Sequence, residues 1–254
     1  MNNTTATPTI SAHQWPYPAW VAHRGAGKLA PENTLAAFRV GAQHGYRMFE
    51  CDVKLSQDGV AFLLHDNTLE RTTNGQGIGG EQPWAVLSQL EAGAWHSRLY
   101  AGESLPTLGA VAKFCQTNGL FLNIEIKPTE GDERHTGEEV AKLAARLWHG
   151  QSVPPLLSSF QIKALEGAQA TTPQLPRGLL LENLKGKWLA TAQRLACVAV
   201  ICDHHVLTAH AVKTIQAAGM KALCYTANEP EDIARLQTMG IDGIITDRVD
   251  RFAP

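Results

Sequence analysis

The chain has 254 residues, 44% hydrophobic and 18% charged, with a formal net charge of −2 at pH 7. That length allows one large domain or two small ones, and the apolar share is enough for a full core. A balance this close to neutral provides no field to recruit nucleic acid, and no run approaches the ~20 apolar residues of a membrane span, so any phosphate chemistry must be local.

Residues 1–18, rich in Thr, Asn, Ala and Pro, read as a loosely held arm, with no basic cluster and apolar run to mark a signal peptide. Trp20-Val21-Ala22 reads as a short buried strand ending at His23. Leu35, Phe38 and Ala42 recur at helical spacing, with Asn33 as the expected cap and Gly45 as the stop. Met48 to Leu55 is a second strand, and Gln57-Asp58-Gly59 turns it into Val60 to Leu64. Antiparallel pairing about Asp58 sets His65 opposite Cys51, beside Glu50 and Asp52, which share a strand face.

Residues 67–106 break this rhythm with Gly75, Gly77, Gly79 and Gly80 and an apolar patch of Trp84, Leu87 and Leu90. So long an irregular segment reads as an insertion over the active-site mouth. Alternation then resumes: a helix with Leu108, Val111 and Cys115, strand 120–126, and a helix opening on a capping box at Thr136 to Glu139. Further strands fall near 156, 178, 198, 222 and 243, with helices between them. Eight strands alternating with helices predict an α/β fold, a (β/α)8 TIM barrel, with residues 1–254 as a single domain and a small insertion after strand two. A doubly wound sheet is the alternative, but no Gly-rich dinucleotide or Walker fingerprint follows the first strand.

In such a barrel, chemistry gathers at the C-terminal strand ends. His23 and Arg24 end the first strand, Glu50 and Asp52 the second, Glu125 and Lys127 the third. Three carboxylates from adjacent strands offer hard oxygen ligands, which suit one divalent cation, Mg²⁺ or Ca²⁺, better than zinc. Three carboxylates, a divalent ion, two basic side chains and a singly charged phosphodiester sum to zero, so ion and anion should each favour the other's binding. Arg24 suits two phosphate oxygens as a fork, and Lys127 acts as a point charge. His23 and His65 can move protons, with His23 preferred as base and His65 as acid to the leaving alcohol.

Asp203-His204-His205 is a zinc-like cluster in composition, but neighbours on a strand point to opposite faces, so a polar rim is expected there. Tyr225 is read either as a ring against the organic part of a substrate or as a barrel-rim aromatic, and Thr246-Asp247 is read as shaping the last loop. Pro31 to Thr34 is read as structural, with Glu32 and Asn33 bonding backbone near the site. Cys51, Cys115, Cys197, Cys202 and Cys224 are odd in number and form no CxxC, as in a protein of a reducing compartment, so the expected address is cytoplasmic.

His23-Arg24-Gly25, Pro31-Glu32-Asn33-Thr34, Glu50-x-Asp52, His65-Asp66, Leu69-Glu70-Arg71-Thr72, Glu125-Ile126-Lys127 and the closing Gly240 to Asp247 resemble the glycerophosphodiester phosphodiesterases. The likeness spans roughly 20–250 and is nearest the short cytoplasmic bacterial form associated with glycerol-3-phosphate uptake, the Ugp type. It implies a TIM barrel, a divalent cation on Glu50, Asp52 and Glu125, acid-base catalysis by His23 and His65, and hydrolysis of deacylated phospholipids to sn-glycerol 3-phosphate and an alcohol. The implied partner is thus a small-molecule glycerophosphodiester, with no nucleic acid and no stable membrane association; homodimer formation is left open. A lipid-acting phospholipase and a non-catalytic phosphate-ester sensor are the competing readings.

Overall fold

Side-chain alternation along β2, Met48–Leu55, divides the molecule into an inside and an outside. Phe49, Cys51, Val53 and Leu55 pack with helix residues such as Phe38, Val111 and Val140. Met48 instead packs with Val21, Leu156, Leu180, Ala199, Ile201, Leu223 and Ile245, one or two from each of six other strands. Such a cluster forms only where strands close around a common axis. Glu50, Asp52 and Lys54 have the parity of Met48, so they point into the barrel above its apolar floor.

The computed structural model describes residues 15–252 and Pro254. The strands are β1 (Trp20–Ala22), β2, β3 (Ala61–Leu63), β4 (Phe121–Ile126), β5 (Leu156–Ser159), β6 (Arg177–Leu181), β7 (Ala199–Asp203), β8 (Lys221–Tyr225) and β9 (Gly243–Thr246). All pair in parallel except β3, and β1 bonds both β2 and β9, which closes an eight-stranded (β/α)8 TIM barrel. The helices are α1 (Leu35–Gln43), the single-turn α2 (Trp84–Leu87), α3 (Leu108–Thr117), α4 (Glu133–Leu147), α5 (Ile162–Thr171), α6 (Trp188–Arg194), α7 (Ala209–Ala217) and α8 (Pro230–Thr238). Two apolar clusters fill the layer between strands and helices.

β3 lies antiparallel on β2 with Val53 opposite Leu63, the register of a turn centred on Asp58. β1 and β3 therefore use the same edge of β2 at its two ends, since β1 stops at Ala22 opposite Phe49. Between them the edge is bonded by the loop after β1: Arg24 N donates to Glu50 Oε2 (3.1 Å), and Asp52 N donates to Asn33 Oδ1 (3.1 Å).

Three local expectations are corrected. The cap of α1 is Thr34, whose hydroxyl accepts from Ala37 N, because Asn33 is left-handed (φ 59°) and turned to Asp52. α4 begins a turn before the expected capping box: Thr136 is buried inside it and donates to Asp132 Oδ2 (3.0 Å). The predicted arm lies outside the described residues for 1–14, but Tyr17 is buried against Phe121 and donates to Pro154 O (2.9 Å). In segment 67–106, Leu69, Leu87, Ala92 and Leu105 pack on Phe62 and Leu64 of the hairpin. Trp84 joins that cluster, so these apolar groups face the hairpin rather than solvent.

Candidate active site

Inward parity carries the polar groups to one place. One cavity of about 760 Å³ is lined by His23, Arg24, Glu50, His65, Glu125, Lys127 and Tyr225 among others. Carboxylate oxygens of Glu50, Asp52 and Glu125 lie within 4.8 Å of one another, and all three residues are buried. The register aligns Asp52 with Glu125 across β2 and β4.

Burial, compounded by the charge of Asp52, pushes Glu50 up to about 8 and raises Glu125 as well. Asp52 is held low against its own burial by Arg24 and Lys127, and by the amide of Asn33, which donates to Oδ2 at 2.8 Å. Glu50 Oε1 is buried without a hydrogen-bond partner. Mutually repelling hard oxygens with an unclaimed lone pair are the donor set a divalent ion needs, so the residues present fit such an ion. Lys127 Nζ donates to Glu125 Oε1 (2.8 Å) and lies 3.6 Å from Asp52 Oδ1.

Each histidine has a carboxylate behind it. His23 Nδ1 and Asp247 Oδ1 are 2.6 Å apart, which leaves Nε2 toward Glu50 Oε2 at 3.8 Å. Burial works against the imidazolium, but Asp247 and Glu50 outweigh it and raise the pKa of His23. Asp247 is itself held by Asn228 Nδ2 (2.9 Å). His65 Nδ1 meets Asp66 Oδ1 at 2.7 Å, and there burial wins, so His65 is lowered.

Arg24 adopts φ 49°, a conformation costly for a side-chain-bearing residue and characteristic of constrained functional loops. Its guanidinium donates to Glu32 Oε1 (2.8 Å) and lies 3.2 Å from Asp52 Oδ2. Arg71 bridges Glu32 to Asp66, and thereby links the Arg24 loop to the His65 loop. Tyr225 spends its hydroxyl on Leu181 O (3.1 Å), so it offers the cavity its ring.

All eight predicted site residues therefore converge, Asp52 at the base of the cluster and the other seven along the cavity wall. Two partners escaped the sequence reading. Asp247, read as a loop former, is the partner of His23, and Lys54 is a fully buried ammonium donating to Asn67 Oδ1 (2.9 Å) and Lys127 O (3.3 Å). Both continue the inward parity of their strands, and that was the available signal. The Asp203-His204-His205 expectation is corrected as well. Asp203 ends β7 and the histidines lie in the following turn, where alternation no longer applies; ligand atoms of all three fall within 4.8 Å of one another.

Over residues 23–251 the sequence matches the Glycerophosphoryl diester phosphodiesterase family. The chain belongs to that family. A glycerophosphodiester phosphodiesterase of Caldanaerobacter subterraneus subsp. tengcongensis is 32% identical over 89% of this chain and 93% of its own length. One from Bacillus subtilis is 28% identical over 91% and 84%. Among solved structures, an Oleispira antarctica phosphodiesterase in complex with the product sn-glycerol-3-phosphate has a TM-score of 0.86 at 35% identity, covering 94% of this chain and 96% of that one. The chain is an enzyme, a glycerophosphodiester phosphodiesterase.

Proposed function

We propose that the chain hydrolyses small glycerophosphodiesters, deacylated phospholipids such as glycerophosphocholine or glycerophosphoethanolamine, to sn-glycerol 3-phosphate and an alcohol. The observation that carries this reading is the buried triad Glu50, Asp52 and Glu125, flanked in one cavity by two carboxylate-backed histidines. Glu50, Asp52 and Glu125 would hold one Mg²⁺ or Ca²⁺, which when bound supplies Lewis acidity to phosphate oxygens and lowers the pKa of an attacking hydroxyl.

Arg24 and Lys127 take the charge of the non-bridging phosphate oxygens, held in place by Glu32, Asp52 and Glu125. His23 Nε2 accepts the proton of the attacking hydroxyl, either the substrate's own glycerol 2-hydroxyl or water. With the charge of Glu50 neutralised, Asp247 remains to stabilise the imidazolium so formed. His65, oriented by Asp66, returns a proton to the leaving alcohol oxygen. Appearance of a cyclic glycerophosphate would separate internal attack from attack by water.

No helix among the described residues is long and apolar enough to cross a membrane. The five cysteines are buried and free, which suits the cytoplasmic address included in this reading. The test is product release from glycerophosphocholine with Mg²⁺ or Ca²⁺, lost with EDTA and in Glu50→Ala. Binding without turnover would refute it, and strong sedimentation with lipid vesicles would favour the phospholipase alternative.

A further inference from the structure

The phosphate-handling groups occupy only the part of the cavity over β1, β2 and β4. The rest lies over β5 to β8, and the same inward parity delivers a different set of side chains there: Phe160, Glu182, Asp203 and Tyr225, each at or just past a strand end. The register sets Asp203 beside Tyr225, and, with Leu181 opposite Cys202, brings Glu182 next to Asp203. Phe160 and Tyr225 meet edge to face at 5.6 Å although they come from β5 and β8.

Two features distinguish this half. Among the described residues Glu182 has no ion-pair partner, and Asp203 is paired only with His205, whose N–H and Nδ1 both fall on Oδ1. Of the cavity's own cations, Arg24 is already engaged with Glu32 and Asp52, and Lys127, near the Phe160 ring, with Asp52 and Glu125. Carboxylates beside aromatic faces make a site for an organic cation: the carboxylates supply charge, and the π faces stabilise an ammonium that has no N–H to donate. The Phe160 ring already lies 5.7 Å from the Lys127 ammonium.

We propose that this half of the mouth is a head-group subsite in which Glu182 and Asp203, with Phe160 and Tyr225, select diesters of cationic alcohols of the choline and ethanolamine type over neutral or anionic ones. The inference deepens the hydrolytic reading and rests on it. An alcohol without positive charge gains nothing from the two carboxylates, and an anionic one is repelled.

The test compares kcat/KM for glycerophosphocholine, glycerophosphoethanolamine and glycerophosphoglycerol in the wild type and in Glu182→Gln/Asp203→Asn, at about pH 8, where an ordinary imidazole is neutral. The double variant should lower the two cationic substrates about 3- to 10-fold relative to glycerophosphoglycerol, the size expected for solvent-screened charge pairs. As a measurement on the wild type alone, choline should inhibit competitively where its uncharged carbon isostere does not. An equal fall for all three substrates would place the shared glycerol here and overturn the proposal, and an unchanged ratio would do the same. A wild type that turns over none of the three would instead strike the hydrolytic reading itself, and this one with it.

Discussion

The buried carboxylates predict that metal binding expels a proton. With Glu50 near 8, about 90% of the ion-free chain carries that proton at pH 7, and about 10% at pH 9. An ion bound by Glu50 requires the carboxylate, so Mg²⁺ or Ca²⁺ should release about 0.9 proton at pH 7, more if Glu125 contributes, and little at pH 9. Titration calorimetry in buffers of different ionisation enthalpy reads this number directly. The same shift affects stability: an unfolded Glu50 ionises near 4.5 and the folded one near 8, so between those values the folded state binds more protons than the unfolded one. Stability of the ion-free chain is then highest on the acid side of this window and falls as pH rises through it, by roughly 5 kcal/mol when complete. Glu50→Gln keeps the shape, removes that loss and should melt on the order of 10 °C above the wild type at pH 8 without ion, while no longer releasing a proton. Buffer-independent binding heats at pH 7, or a Gln variant no more stable than the wild type at pH 8, would refute the reasoning.

His23→Ala and His65→Ala should each lower kcat about 10²- to 10⁴-fold with unchanged circular dichroism; a loss below tenfold in either would remove that residue from proton transfer. Asp247 is held down to about 2 by its bond to His23, against its own burial, so Asp247→Asn removes support for the imidazolium. Its kcat should fall about 10²- to 10⁴-fold, and the acid limb of its pH-rate profile should move to lower pH. Lys54 is pushed down to about 8, by burial and then by Lys127, from the ordinary 10.5. Between those values the unfolded state binds the extra proton, so wild-type stability should gain with pH there, and melting curves of Lys54→Met should lack the gain. Gly27 has φ 55°, and a Cβ on it would collide with the backbone of Asp247. Gly27→Ala should cost ~2–4 kcal/mol in denaturant titrations and most of the activity.

Elements built on simple periodicity were legible in the sequence. β2 runs over the expected residues, β9 likewise, and the hairpin has the register its turn chemistry dictates. That the three carboxylates and both histidines gather in one place was legible because strand ends in a barrel have one mouth to point into. Side chains whose partners lie far along the chain were not. Asn33 looks locally like a helix cap, yet its partner is Asp52, and Thr34 serves in its place. Asp247 pairs with a residue 224 positions away, and no local pattern announces that. Thr136 and Glu139 spell a capping box, but buried packing of Thr136 against Asp132 carries the helix a turn further back. For His204 and His205 the error was one of boundary, a strand rule applied to a turn.

β1 is three residues long and is the seam at which the ring closes, and the His23–Asp247 bond crosses that seam. On the mechanism proposed above, catalytic competence cannot precede ring closure, however much helix has formed. In refolding from denaturant, enzymatic activity should return later than the far-ultraviolet signal, and its lag would time the meeting of the two ends of the sheet.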